Sequence, residues 1–182
     1  HPAFYNMWQP FAASGIAITA PPAQLRRELY AFFDLLSAAC GDRADHLWYV
    51  VKLLANYFQY PASRPGVMLI FYGPQGSGKS SILNFIAAIA GERVHCAFTS
   101  RVDRDVTGEF NDLVVNTSLL VLHEVTSHGW GGLNGVQVLK NLLTDAQLTV
   151  HCKGKPAAVH DNFVHIIGAT NDRSPLPAEA GT

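Results

Sequence analysis

Apolar residues recur along this chain with two different periods, and the change falls near residue 64. Before it, Leu25, Leu29, Phe32, Phe33 and Leu36 share one face of a helix predicted over about 24–36. Gly41-Asp42 is expected to end that helix and is a candidate cap for the next. Leu47, Val50, Val51, Leu54, Tyr57 and Phe58 then repeat at helical spacing as far as Pro61, and Pro65-Gly66 marks a turn. Beyond the turn, continuous apolar runs alternate with amphipathic stretches. Val67–Tyr72, Ser118–His123 and Phe163–Ala169 read as strands buried on both faces, and Val94–Phe98 as a short edge strand. Helices are predicted over 79–90 and 136–144. Gln147–Cys152 and Ala157–His160 read as arms of a hairpin around Lys153-Gly154-Lys155-Pro156. This alternation predicts an α/β fold with a parallel sheet over 65–182, preceded by a helical region over 1–64. There is no internal repeat, low-complexity tract or heptad pattern.

Composition narrows the classes. With 48% hydrophobic and 15% charged residues in 182, the chain has enough apolar surface to offset its conformational entropy, which excludes disorder as the main state. Thirteen basic against fourteen acidic side chains give a net charge of −1, so contact with nucleic acid is confined to a local patch. No apolar run approaches the roughly 20 residues of a membrane span, and the first residues lack the basic and apolar regions of a signal peptide. The chain starts without Met, and the expectation is a fragment truncated at the C-terminus. Cys40, Cys96 and Cys152 are odd in number and widely spaced, as packed thiols of a reducing compartment are, rather than a disulfide framework or a zinc site.

The chemistry is concentrated in four places. Gly73-Pro74-Gln75-Gly76-Ser77-Gly78-Lys79-Ser80 matches G-x-x-x-x-G-K-[ST] at every fixed position, between an apolar run and an amphipathic helix. Such glycines let successive N–H groups converge on one anion, and the following helix adds its positive end. Lys79 is expected to hold the β- and γ-phosphates of ATP, and Ser80 to ligate Mg²⁺. A phosphate loop of this kind needs a second strand ending in an acid, to hold the metal and polarise a water. Glu124, 45 positions after Lys79 and closing Leu119–His123, is the candidate. Asn171, at the end of Val164–Thr170, is placed to bond a γ-phosphate oxygen and the attacking water. Three of the five lysines, Lys140, Lys153 and Lys155, fall between those two strands; Lys153 and Lys155 flank a glycine in a polar turn suited to phosphates irrespective of sequence.

The order of phosphate loop, strand with Glu124, Lys153-Gly154-Lys155 turn and strand ending in Asn171 resembles the superfamily 3 helicases. These are AAA+-like hexameric motors, and the viral and phage primase–helicase type is the nearest likeness. The resemblance covers about residues 45–173, and weakly the segment from Tyr5. It implies that Gly73–Ser80 is the Walker A motif, Glu124 the Walker B glutamate and Asn171 the sensor. It also implies that Lys153 and Lys155 line a channel that grips single-stranded DNA. ATP and Mg²⁺ follow as cofactors. A homo-oligomeric ring follows too, with a primase module as a candidate companion. The implied site of action is intracellular, in host cytoplasm or nucleus or at a virus-associated replication site. His123 stands where the family carries an acid. An imidazole is a poor ligand for a hard ion, so His123 is read as packing or positioning, with hydrogen bonding to a metal-bound water as the alternative. The family's arginine finger is expected beyond Thr182; Arg173 follows Asn171 too closely to be assigned. An isolated chain is therefore expected to bind nucleotide and hydrolyse it poorly. Two rivals stand beside the helicase: a P-loop ATPase for DNA packaging or protein remodelling, and a catalytically weak, nucleotide-dependent DNA-binding assembly module. The remaining histidines and Trp130 are read as packing, and the charged run Arg101–Asp105 as a solvated loop.

Overall fold

A computed structural model describes residues 10–14, 22–92, 94–109, 111–115 and 117–177. Tyr5, the Leu25 side chain and the last five residues, 178–182, lie outside what it describes. The chain first forms two helices, α1 (Pro22–Ala39) and α2 (Ala44–Gln59). Pro61 prevents α2 from continuing, and the Tyr60 amide closes it by donating to the Asn56 carbonyl at 2.8 Å. Strand β1 (Met68–Tyr72) leads through the Gly-rich loop into α3 (Lys79–Ala90). There follow β2 (Cys96–Thr99), α4 (Val102–Asp105), β3 (Leu119–Leu122), α5 (Leu133–Thr144), β4 (Gln147–Val150), β5 (Ala158–Asp161) and β6 (His165–Thr170).

Four strands form one parallel sheet in the order β1-β6-β3-β2, while β4 and β5 pair antiparallel in a separate hairpin. The side-chain alternation of the strands divides the core in two. Leu119 and Val121 of β3 and Ile167 and Ala169 of β6 face a cluster with Leu36, Val50, Tyr57, Ile82, Leu83 and Ile86, so α1, α2 and α3 cover that side. Leu120, Leu122 and Ile166 face Trp130, Leu139, Leu142 and Val150 on the other side, beneath α5 and the start of the hairpin. Each such fully buried aliphatic side chain contributes roughly 1.5–3 kcal/mol. Residues 10–14 lie against the end of α3: the amides of Ala12 and Ala13 donate to the carbonyls of Ala90 and Ile89, and Phe11 packs on Tyr57, Phe58 and His95.

Four expectations are corrected. Asp42 does not cap the second helix: Arg43 stands at the cap position without a side-chain bond, and the Asp42 carboxylate accepts the Ser37 hydroxyl at 3.1 Å. Strand β1 is not buried on both faces: it lies at one edge of the sheet, with β6 as its neighbour, and Tyr72 is 53% exposed. A continuous apolar run cannot distinguish an edge strand from a central one, because helices cover part of the edge as well. The last strand begins two residues later than its apolar run, leaving Phe163 exposed. The run Arg101–Asp105 contains the short helix α4 rather than a loop. Val102 is buried in it, and the Thr99 hydroxyl donates to the Asp105 carboxylate at 2.7 Å.

His165 and Trp130 pack into the fold, as expected. The three cysteines are free, and burial pushes the Cys96 thiol up to about 12. His165 is buried against Tyr57, donates to the Pro61 carbonyl at 3.3 Å, and is held below the ordinary imidazole range by burial. Trp130 is fully buried, and its indole donates to the Pro175 carbonyl at 2.7 Å. Among the described residues no three His, Cys, Asp or Glu side chains cluster as a metal site. None of the helices among them is long and apolar enough to cross a membrane.

Candidate functional site: a cavity at the strand ends

Because the four strands are parallel, the loops leaving their C-terminal ends meet along one edge of the sheet. A cavity of about 650 Å³ opens there. It is lined by Gln75–Ser81 after β1, Ser100 after β2, His123 and Glu124 after β3, and Ala169–Asn171 at the end of β6. Strand β6 lies between β1 and β3, so Asn171 emerges between the phosphate loop and the acid.

The loop is built for close approach. Gly76 and Gly78 have φ of +80° and +84°, in the left-handed region that glycine enters without a Cβ penalty. A Cβ on Gly78 would also stand 2.6 Å from Leu35 Cδ1, so α1 lies directly over the loop. Helix α3 starts at Lys79, and its first amides have no carbonyl within the helix to accept them. Lys79 Nζ donates to the carbonyls of Gly73 and Pro74, both at 2.7 Å, to Ser77 Oγ at 3.2 Å, and to Asn171 Oδ1 at 2.9 Å. That last bond joins residues 92 positions apart.

Glu124 has φ of +55°, a conformation that L residues avoid. It is flanked by two backbone bonds, from the His123 amide to the Thr99 carbonyl at 2.8 Å and from the Val125 amide to the Ala169 carbonyl at 3.0 Å. The carboxylate is exposed at the cavity wall. The His123 ring stacks on Phe98, with centroids 6.0 Å apart and planes 11° apart, and also lines the cavity.

The structure thus brings Gln75, Gly76, Ser77, Gly78, Lys79, Ser80, Glu124 and Asn171 together. Gly73 and Pro74 stand behind the cavity, holding the Lys79 ammonium through their carbonyls. Lys153 and Lys155 are not part of it: they sit exposed at the hairpin tip, where the Lys155 amide donates to the Cys152 carbonyl. Ser81, Ser100 and Thr170 were not anticipated. Thr170 adjoins Asn171 and was legible in principle, whereas Ser100 reaches the cavity only because β2 pairs with β3. The donor set suits a hard divalent cation: the Ser80 hydroxyl and the Glu124 carboxylate are oxygens facing one cavity, and no thiol lines it.

The fold and this cavity define an α/β domain of the P-loop NTPase type. Residues 71–182 match a family of unknown function (DUF5906), and the chain belongs to that family. No curated protein matches it. Among solved structures it is similar to the NrS-1 C-terminal region (305–718), at 23% identity and a TM-score of 0.73 over 96% of this chain and 40% of that one. A second structure of that region, the A form, gives 25% identity and a TM-score of 0.63 over 82% of this chain and 34% of that one. The JCV helicase is similar at 15% identity, with a TM-score of 0.52 over 80% of this chain and 41% of that one. The chain therefore spans well under half the length of these structures.

Proposed function

We propose that this chain is the motor core of a replicative DNA helicase of superfamily 3, viral or phage-like, which couples ATP hydrolysis to movement along single-stranded DNA. Residues 1–64 would form its helical region and 65–182 its ATPase core, working as a hexameric ring, with a primase module as a companion. The observation that supports this most is the convergence of Lys79, Glu124 and Asn171 from three strand ends on one cavity. In this reading the loop amides and Lys79 hold the β- and γ-phosphates of ATP. Ser80 and Glu124 would hold Mg²⁺, which neutralises phosphate charge when bound. Asn171 aligns the attacking water through its amide. As the water oxygen bonds to the γ-phosphorus and the bond to the bridging β–γ oxygen breaks, Glu124 takes the water proton. His123, stacked on Phe98, positions the acid loop rather than ligating the metal. Lys153 and Lys155, at the tip of a hairpin away from the cavity, would bind DNA phosphates.

The test is DNA-stimulated ATPase in the full-length protein. Glu124→Gln is expected to bind a fluorescent ATP analogue normally and to abolish turnover. Lys153→Ala with Lys155→Ala is expected to lose the stimulation. It should also lower the slope of log K against log salt by about 1.4, near 0.7 for each single-strand phosphate no longer neutralised. Unchanged stimulation and slope would favour packaging or protein remodelling instead. Normal turnover in Glu124→Gln would sink the catalytic assignment.

A further inference from the structure

Thr170, 1% exposed, lies where the segments of the cavity meet. Its carbonyl accepts the Gly73 amide at 3.2 Å, at the start of the phosphate loop. Its hydroxyl donates to the carbonyl of Val125, the residue after Glu124, and accepts the amide of Asp172, the residue after Asn171, at 2.9 Å. One buried oxygen thus ties the backbone beside the acid to the backbone beside the asparagine. Asp172 extends the tie: its carboxylate accepts the Ser127 amide at 3.4 Å and the Ser174 amide at 3.0 Å. Those two bonds hold its carboxyl below the usual range. Ser127 opens the short 3-10 helix that follows Glu124, and Ser174 belongs to the segment that follows Asn171, so the carboxylate joins the same two segments a second time.

The tie matters because of the backbone at Glu124. Its left-handed conformation persists only where the surroundings over-determine it. The Val125 amide bonds β6 at Ala169 and the Val125 carbonyl bonds β6 at Thr170, so both polar groups of this one residue are anchored to the strand that ends in Asn171. Without the hydroxyl, the carbonyl loses its partner on that strand and the peptide after Glu124 is free to turn.

We infer that Thr170 is a positioning residue whose hydroxyl sets Glu124 and Asn171 relative to one another for hydrolysis, with Asp172 as its outer brace; this rests on the ATPase reading above. The assay is steady-state ATPase of the full-length protein on saturating single-stranded DNA, together with binding of a fluorescent ATP analogue. Thr170→Val keeps the shape and removes the hydroxyl, and is expected to lower kcat on the order of 100-fold, the effect of a misplacement near 1 Å, with KM and analogue affinity held within about threefold. Thr170→Ser restores the hydroxyl and is expected to keep kcat within about threefold of the wild type. Asp172→Ala, at a half-exposed site, is expected to lower kcat about tenfold with affinity unchanged. The inference is overturned if Thr170→Val keeps kcat, if its affinity falls in proportion to kcat, or if Thr170→Ser is equally impaired. Should circular dichroism show Thr170→Val unfolded, Asp172→Ala decides, and an unchanged kcat there overturns it. Glu124→Gln, run alongside, separates the two levels. If it is inactive while Thr170→Val is active, only the positioning role fails; if it turns over normally, the ATPase reading fails with it.

Discussion

Alanine at Gly78 probes the packing of the helical region on the phosphate loop. Two costs add. The residue sits at φ +84°, where an L side chain is disfavoured by roughly 1–2 kcal/mol. Its new Cβ would also stand 2.6 Å from Leu35 Cδ1 and 3.3 Å from Cδ2, forcing that side chain off its rotamer at a cost of about 0.5–1.5 kcal/mol. The sum is about 2 kcal/mol, or a loss of about 4–8 °C in Tm for a chain of this size. The two terms separate in a double-mutant cycle, because Leu35→Ala removes the clash and leaves the backbone strain. Urea unfolding of Gly78→Ala, Leu35→Ala and the double variant is expected to give an interaction of about 1 kcal/mol favouring the double variant. Binding of a fluorescent ATP analogue should fall both in Gly78→Ala and in the double variant, since the strain remains in the loop. Additivity to within about 0.5 kcal/mol would show that Leu35 does not lie over Gly78 as described.

Gly135 in α5 offers a test with an inverted sign. Helix propensity alone expects Gly135→Ala to stabilise by about 1 kcal/mol. Here the new Cβ meets the Trp130 carbonyl, 2.6 Å from its carbon and nearer its oxygen, and backbone cannot swing aside. The expectation is a net loss of about 2 kcal/mol, read as a lower Tm, and a higher Tm would refute the packing described. His165 predicts a pH dependence. Burial lowers its folded pKa, so the unfolded chain takes up a proton that the fold resists. Its contribution is complete above the unfolded value of 6.5 and is lost as pH falls through the folded pKa. Thermal melts should therefore show a Tm that drops below pH 6.5 more steeply in the wild type than in His165→Gln, and parallel profiles would exclude the residue as the cause.

Local pattern settled much of this protein. Helix α3 falls where the sequence places it, at about Lys79 to Ala90, because its amphipathic period, its glycine-rich entry and Gly91 all act within a few positions. The hairpin was legible for the same reason, from polar turn residues between two short apolar arms. The residues of the phosphate loop needed no fold to be found, since binding an anion with consecutive amides demands glycine at fixed spacing. Glu124 and Asn171 were legible only as acid and amide at strand ends; nothing along the chain says which strands lie side by side.

The sheet order decided the rest. Placing β6 between β1 and β3 puts Asn171 within 2.9 Å of Lys79, draws Ser100 to the cavity through β2, and makes β1 an edge strand despite its unbroken apolar run. It also lets Thr170 bond both the loop after β1 and the loop after β3. Pairing between distant strands depends on which faces can be buried together, a property of the assembled sheet that no window of neighbouring residues contains. The sequence by itself determined the glycine-rich loop and the elements on either side of it. Only the tertiary structure brought the acid, the amide and the ammonium to one cavity, because strand pairing between segments tens of residues apart decides which loops adjoin.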